Sequence, residues 1–226
     1  MNIIITAGGT QESIDSVRKI TNMSTGKLGT VISKQFTKVW DKVLNNTNKI
    51  FYICNKDSIL PPHNSAIELV LTTDMESVKE VVNQLLTEHT IDYFIHSMAV
   101  SDYKVEGAYK MDLSSIDTTT KMQSNNDEIY LKLIKTVKII DSIKQLQPNI
   151  ELISFKLRDR VTEQELIEIG TDQLHRTNSS LVIANDLQYI RQGNHTAFAI
   201  TNNSVTKLIS KKSIASFVYK YCSSNV

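Results

Sequence analysis

Two stretches near the start of the chain combine the residue types that hold an anion. The first is Thr6-Ala7-Gly8-Gly9-Thr10, and the second is Thr21-Asn22-Met23-Ser24-Thr25-Gly26-Lys27-Leu28-Gly29. Glycine lets backbone N–H groups approach a ligand closely and adopts positive φ without strain. Ser, Thr and Gly ahead of a helix leave N–H groups that suit a phosphate. The chain has only seven glycines in 226 residues, and four of them, Gly8, Gly9, Gly26 and Gly29, fall within the first 29. The second stretch is not a Walker A loop: that motif needs Gly at 21 and Ser or Thr at 28, where this chain has Thr21 and Leu28. A capped helix with no ligand is the alternative reading.

The elements that must position these residues alternate. Asn2–Thr6 reads as a buried strand, and positions 26 to about 44 as an amphipathic helix with Leu28, Val31, Ile32, Phe36, Val39, Trp40 and Val43 on one face. Ile50–Cys54 and Ala66–Leu71 read as strands, Met75–Leu86 as a helix capped at Thr73-Asp74, and Tyr93–His96 as a fourth strand. Residues 101 to 133 break the pattern and are expected to form a protruding flap, with Asp117–Gln123 and Glu128–Leu133 able to pair as strands. Val137–Leu146 is expected to be helical, Glu151–Phe155 a strand, Thr162–His175 a helix with a capping box, and Leu181–Ala184 a buried strand. Asn202-Asn203 turns a hairpin between Thr196–Thr201 and Val205–Ile209, and Lys211–Tyr221 closes as a helix. The fold class is therefore α/β: a Rossmann-like, mostly parallel sheet with helices on both faces, in one domain over 1–226. Ligands of such sheets bind outside the carboxyl ends of the strands. Small and polar residues occupy those ends: Thr6–Thr10, Ser97–Asp102, Phe155-Lys156 and Asn185-Asp186.

These motifs resemble phosphopantothenoylcysteine synthetase, the phosphopantothenate–cysteine ligase of coenzyme A biosynthesis. The likeness runs through Ile5–Thr10, Asp15–Arg18, Thr21–Gly26, His96–Tyr103, Lys121–Ser124 and Val182–Leu187, in order along nearly the whole chain. It is closest to the short stand-alone bacterial form. The larger form carries a flavin-dependent decarboxylase domain for which this chain has no room.

The resemblance implies a reaction and roles. The carboxylate of 4′-phosphopantothenate attacks the α-phosphate of CTP (or ATP), pyrophosphate leaves, and the amine of L-cysteine displaces the nucleoside monophosphate from the acyl carbon, with Mg²⁺ assisting the first step. Asn22 matches the asparagine that holds the acyl intermediate, and Lys121 matches the flap lysine that neutralises charge on the α-phosphate. Gly8, Gly9, Ser24, Thr25, Gly26, Ala99, Asp102, Phe155, Ala184, Asn185 and Asp186 match nucleotide-binding positions, with Asp102 also a possible metal ligand and Arg18 a contact to the substrate phosphate. Turn, cap or core roles are the alternatives at Asn22, Asp102 and Phe155. The sequence departs from the family pattern at Ser154, where Gly is usual, at Lys156-Leu157, and in carrying a single lysine in its flap motif. The family is dimeric, so a homodimer is expected.

Composition narrows the field further. The net charge of +1, from 25 basic and 24 acidic residues, argues against nucleic-acid binding by bulk phosphate attraction and leaves room for a local basic pocket for a small anion. Two cysteines make no disulfide framework, and Cys54 has no histidine partner. There is no membrane-length apolar run and no signal peptide, so a cytoplasmic protein is expected. Two other functions fit parts of the sequence. A non-catalytic nucleotide-binding module would need neither Asn22 nor Lys121. An NAD(P)-dependent reductase would need fingerprint glycines and an acid after the second strand, which Cys54-Asn55-Lys56 does not supply.

Overall fold

The computed structural model describes residues 1–43 and 47–224. Its first strand, β1 (Asn2–Ala7), is buried along most of its length, as its β-branched run requires of a strand covered on both faces. A short antiparallel hairpin follows, β2 (Gln11–Ser13) with β3 (Lys19–Thr21), and then helix α1 (Lys27–Trp40). The sequence pattern gave no sign of the hairpin, because three-residue strands carry too few positions to show a period. The predicted end of α1 near 44 lies outside the described residues; the helix itself stops at Trp40.

Strands β4 (Lys49–Asn55) and β5 (Ile67–Thr72), helix α2 (Met75–Glu88) and strand β6 (Tyr93–His96) come next, within a residue or two of expectation. Beyond Asp102 the chain leaves the main sheet and forms β7 (Tyr103–Tyr109), β8 (Ser115–Ile116) and β9 (Tyr130–Lys135), a separate antiparallel sheet in the order β8-β7-β9. The expected pairing of 117–123 with 128–133 is not what forms. The partner of β9 is β7. Asp117 Oδ1 accepts from both N–H and hydroxyl of Thr119, which turns the chain instead of extending it. The strand β7 was hidden because Gly107 sits at a bulge and Lys104 and Glu106 interrupt the apolar alternation.

The predicted helix over 137–146 is broken into a 3₁₀ turn at Ile139–Asp141 and a single turn, α3 (Ile143–Leu146). Strand β10 (Glu151–Arg158), helix α4 (Glu163–Thr177) with its Thr162–Glu165 capping box, and strand β11 (Leu181–Asp186) follow. A short helix α5 (Leu187–Arg191), the hairpin β12 (Ala197–Ile200) with β13 (Val205–Leu208), and helix α6 (Lys211–Ser224) complete the chain.

The eight-stranded sheet runs β13-β12-β11-β10-β6-β1-β4-β5, with every pairing parallel except β11–β12 and β12–β13, so that only β12 runs against the rest. Alternate side chains divide between its faces. Ile3, Ile5, Tyr52, Ile95 and Ile183 pack with Ile32, Phe36 and Trp40 of α1 and Ile214 and Val218 of α6. Ile4, Phe51, Phe94 and Leu152 pack with α2 and α3, and Val182 and Ala184 with α4. After β1 the chain steps outward through β4 to β5, then returns to place β6 on the other side of β1. The order therefore reverses between β1 and β6, and ligands of such sheets enter where it reverses.

Candidate active site

The two glycine-bearing loops meet at that reversal. Gly9 and Ala99 form a parallel bridge beyond the ends of β1 and β6. Ala99 N–H donates to Gly8 O at 2.9 Å, and Thr10 N–H to Ala99 O at 3.2 Å. Asn22 reaches the same carbonyl, its Nδ2 donating to Ala99 O at 3.1 Å, and Ser24 N–H folds back on Asn22 O at 2.8 Å. The glycines are sterically required. Gly8 (φ 84°) has Ser58 Oγ where a Cβ would sit, Gly9 lies against the Asn22 carbonyl, and Gly26 (φ 75°) abuts Gly8 N. Gly26 is also the N-cap of α1, and no side chain caps that helix among the described residues. The start of α1, with the positive end of its helix dipole, thus stands at the edge of the crevice. Thr25 Oγ1 turns to Lys27 N–H at 3.4 Å.

Two basic residues that the sequence reading did not single out, His195 and Lys211, stand near Lys27. Burial, together with Lys211 and Lys27, holds the His195 imidazole below its usual range. Burial, together with Lys27, does the same to Lys211. Lys27 begins α1 and Lys211 begins α6. Their helix numbers gave no hint that two helix starts converge here, since that depends on the sheet order.

The remaining expected residues lie at the ends of β6, β10 and β11 along the same sheet. Asp102 is exposed at the root of β7, and its carbonyl accepts from Thr136 N–H at 2.9 Å. The loop is stiffened beneath it by Thr10 Oγ1 and Ser101 Oγ, 2.7 Å apart, and by Thr136 Oγ1 donating to Ser101 O at 2.6 Å. Half-buried Phe155 ends the β10 core two strands from β1, and Asn185 lies one strand further out, level with Leu157. Ser154, where a glycine was expected, is fully buried, with its hydroxyl 3.0 Å from Ser179 Oγ and accepting from Gln173 Nε2 at 2.9 Å. Lys156 is held below its usual range by burial and by Arg158, Lys138 and Arg176, with Asp102 opposing. Ala184 is buried under α4, and the Asp186 carboxylate is engaged internally, accepting from Val161 and Gln188 N–H.

Arg18 and Lys121 belong together through residues between them. Arg18 Nη1 donates to Asp15 Oδ2 at 2.6 Å, so part of its guanidinium is committed within the protein. Asp15 also accepts from Val17, Arg18 and Met122 N–H. Burial alone would raise its carboxyl; those three N–H donors and the guanidinium hold it down at about 2. Lys121 itself is exposed, one residue before buried Met122.

His96 closes the row of Thr6, His96 and Ser154 across three strands. Its Nδ1 is 2.8 Å from Thr6 Oγ1, and burial pushes the imidazole down to about 4, so it is neutral near pH 7. Burial pushes the Cys54 thiol up to about 11, which makes it inert as a nucleophile. Among the described residues no group of three or more His, Cys, Asp or Glu is arranged to hold a metal. No helix among them is long and apolar enough to cross a membrane.

Residues 1–223 match the profile of the DNA/pantothenate metabolism flavoprotein C-terminal domain. The chain belongs to that family. A coenzyme A biosynthesis bifunctional protein, CoaBC, of Thermococcus kodakarensis is 31% identical over 186 residues, covering 82% of this chain and 41% of that one. The protein of the same name from Methanocaldococcus jannaschii is 30% identical over 219 residues, 94% of this chain and 48% of that one. This DNA/pantothenate metabolism flavoprotein domain thus spans less than half the length of these curated relatives. A crystal structure of the DNA/pantothenate metabolism flavoprotein from Streptococcus pneumoniae superposes with a TM-score of 0.89 at 30% identity, over 100% of both chains. A Cab2 variant in complex with phosphopantothenate-cysteine shares the fold, with a TM-score of 0.75 at 17% identity over 99% of this chain and 86% of that one.

Proposed function

We propose that this chain is a phosphopantothenate–cysteine ligase of coenzyme A biosynthesis, working through an acyl-nucleotide intermediate. The observation that carries the reading is the switch point between β1 and β6, where Asn22 is held against Gly9 and Ala99, and Gly8 packs on Gly26 at the start of α1. The names of the relatives, coenzyme A biosynthesis bifunctional proteins, support the same pathway.

In the first step a carboxylate oxygen of 4′-phosphopantothenate bonds to the α-phosphorus of CTP or ATP, and the bond to the bridging oxygen breaks to release pyrophosphate. The nucleotide's phosphates lie on the N–H groups at the start of α1 and on Ser24. Lys121 neutralises charge at the α-phosphate. Asn22 keeps one Nδ2 hydrogen on Ala99 O and offers the other to the acyl oxygen. In the second step the cysteine nitrogen bonds to the acyl carbon, the nucleoside monophosphate leaves, and the amine loses a proton. Phe155, Asn185 and the main chain of Ala184 and Asp186 form the base slot, with Asp102 beside the ribose. Arg18 turns the guanidinium nitrogen not held by Asp15 toward the substrate phosphate. A Mg²⁺ bound with the nucleotide would supply further charge neutralisation, and Asp102 is the side chain that would help the phosphates hold it. The whole chain acts as one unit in a cytoplasmic homodimer, with residues 101–133 as the flap.

The test is pyrophosphate release with 4′-phosphopantothenate and Mg²⁺, comparing CTP with ATP, with and without cysteine. Amide product that requires cysteine and a nucleotide preference supports the ligase. Nucleotide binding without pyrophosphate from a folded sample overturns it in favour of a binding module.

A further inference from the structure

Lys121 lies on an irregular, exposed segment, and a lysine so placed has many conformations to choose from. The residue after it is held unusually firmly. Met122 is buried, its N–H donates to Asp15 Oδ2 at 3.1 Å, and its carbonyl accepts from Arg18 Nη1 at 3.5 Å. Both polar groups of one peptide position are thus gripped by an acid–base pair 107 and 104 residues away in sequence. The pair is itself rigid. Asp15 Oδ1 accepts from Val17 and Arg18 N–H, and Ile14 N–H donates to Arg18 O at 2.9 Å, closing the β2–β3 hairpin. That hairpin leads through Thr21 directly into Asn22.

We infer that Asp15 and Arg18 are positioning residues: they latch the Lys121–Met122 segment onto the hairpin that delivers Asn22, and so fix the lysine and the asparagine relative to each other. The inference rests on the role proposed above for Lys121. A latch of this kind restricts the lysine's backbone before substrate arrives, which is what charge stabilisation at a reacting phosphorus requires.

The experiment combines two readouts. Hydrogen exchange reports the Met122 amide in wild type, Asp15→Ala and Arg18→Ala, with the overall fold followed by circular dichroism. Pyrophosphate release is measured in the same proteins, in Lys121→Ala, and in the double variant Asp15→Ala/Lys121→Ala. The latch predicts Met122 exchange at least tenfold faster in Asp15→Ala, and a turnover loss of tenfold or more with an unchanged KM for cysteine. It also predicts that Asp15→Ala costs nothing further once Lys121 is absent, because coupled residues are not additive. Wild-type exchange at Met122, or a further tenfold loss in the double variant, overturns it. If Asp15→Ala does not fold, Asp15→Asn, which keeps an acceptor for the Val17 and Arg18 N–H groups and loses the one for Met122 N–H, carries the same comparison with Lys121→Ala. Absence of turnover in wild type sinks the ligase reading alone, and the exchange measurement still decides whether the latch holds the segment.

Discussion

Gly9 faces the backbone of Asn22 so closely that a Cβ there would sit 2.3 Å from the Asn22 carbonyl oxygen. Gly9→Ala must therefore push Asn22 out of its place beside Ala99. Overpacking of this kind costs about 1–3 kcal/mol. The expected result is a lowered melting temperature and a larger proportional loss of cysteine-dependent product than of nucleotide binding, read by calorimetry and product assay. Lys121→Ala tests the proposed chemistry more directly: loss of one preorganised charge stabiliser lowers turnover roughly a hundred- to thousandfold, with folding unchanged because the side chain is exposed. Asp15 acts on stability through pH. Its folded carboxyl titrates at about 2, below the ordinary 3.8. The stabilisation is thus fully present above about 4 and is lost as pH falls toward 2. Denaturant midpoints measured across that window should fall more steeply for wild type than for Asp15→Asn. Asn22 and the glycines were legible in the sequence because their types and spacing are local. The partnership of Asp15 with Met122 was not, because it is made by the return of a distant segment and no spacing encodes it.

Helix α2 shows how one element leans on another. Asp74 and Ser77 form a reciprocal capping box at its start, and Met75 N–H is satisfied by the Oε1 of buried Glu12, on β2, at 3.0 Å. Truncating Glu12 leaves that donor buried and unpaired, at a cost of about 1–3 kcal/mol. Glu12→Ala should therefore lower the melting temperature by a few degrees, while Glu12→Gln, which keeps an acceptor, should recover most of the loss. The inner parallel strands β1, β4, β6, β10 and β11 were readable because each carries a short apolar run buried on both faces, and the longer helices because their apolar positions recur at three and four. The second sheet defeated that reading. Its strands are half-exposed, one is bulged at Gly107, and Lys132 pairs with Glu106 across β7 and β9, so charge rather than apolar alternation marks the register.

At the scale of the molecule, that second sheet carries an apolar surface that no other described residue of the chain covers. Tyr103, Met111, Leu113, Tyr130 and Leu133 are all exposed, Met111 by 69% and Leu113 by 74%. Leu113 also holds φ at 64°, the left-handed region that a branched side chain enters only at a cost. The Asp112–Ser114 hydrogen bonds and the Leu113 N–H to Lys110 O bond fix that turn, so the leucine is held outward at the tip between β7 and β8. An exposed apolar group kept in a strained conformation is explained if a second copy of the chain covers it. The two effects then have opposite signs in one variant. Leu113→Gly removes a left-handed penalty of roughly 1–2 kcal/mol, offset in part by the freer unfolded chain, so the isolated protomer should lose no stability. The same change deletes the side chain from the proposed contact, so the dimer should weaken. Sedimentation over a dilution series should give twice the 25.5 kDa chain mass for wild type and a shift toward that mass for Leu113→Gly at the same concentration. A wild-type protein that stays at the single-chain mass at every concentration, or a variant that dimerises as tightly as wild type, would remove this tip from the interface.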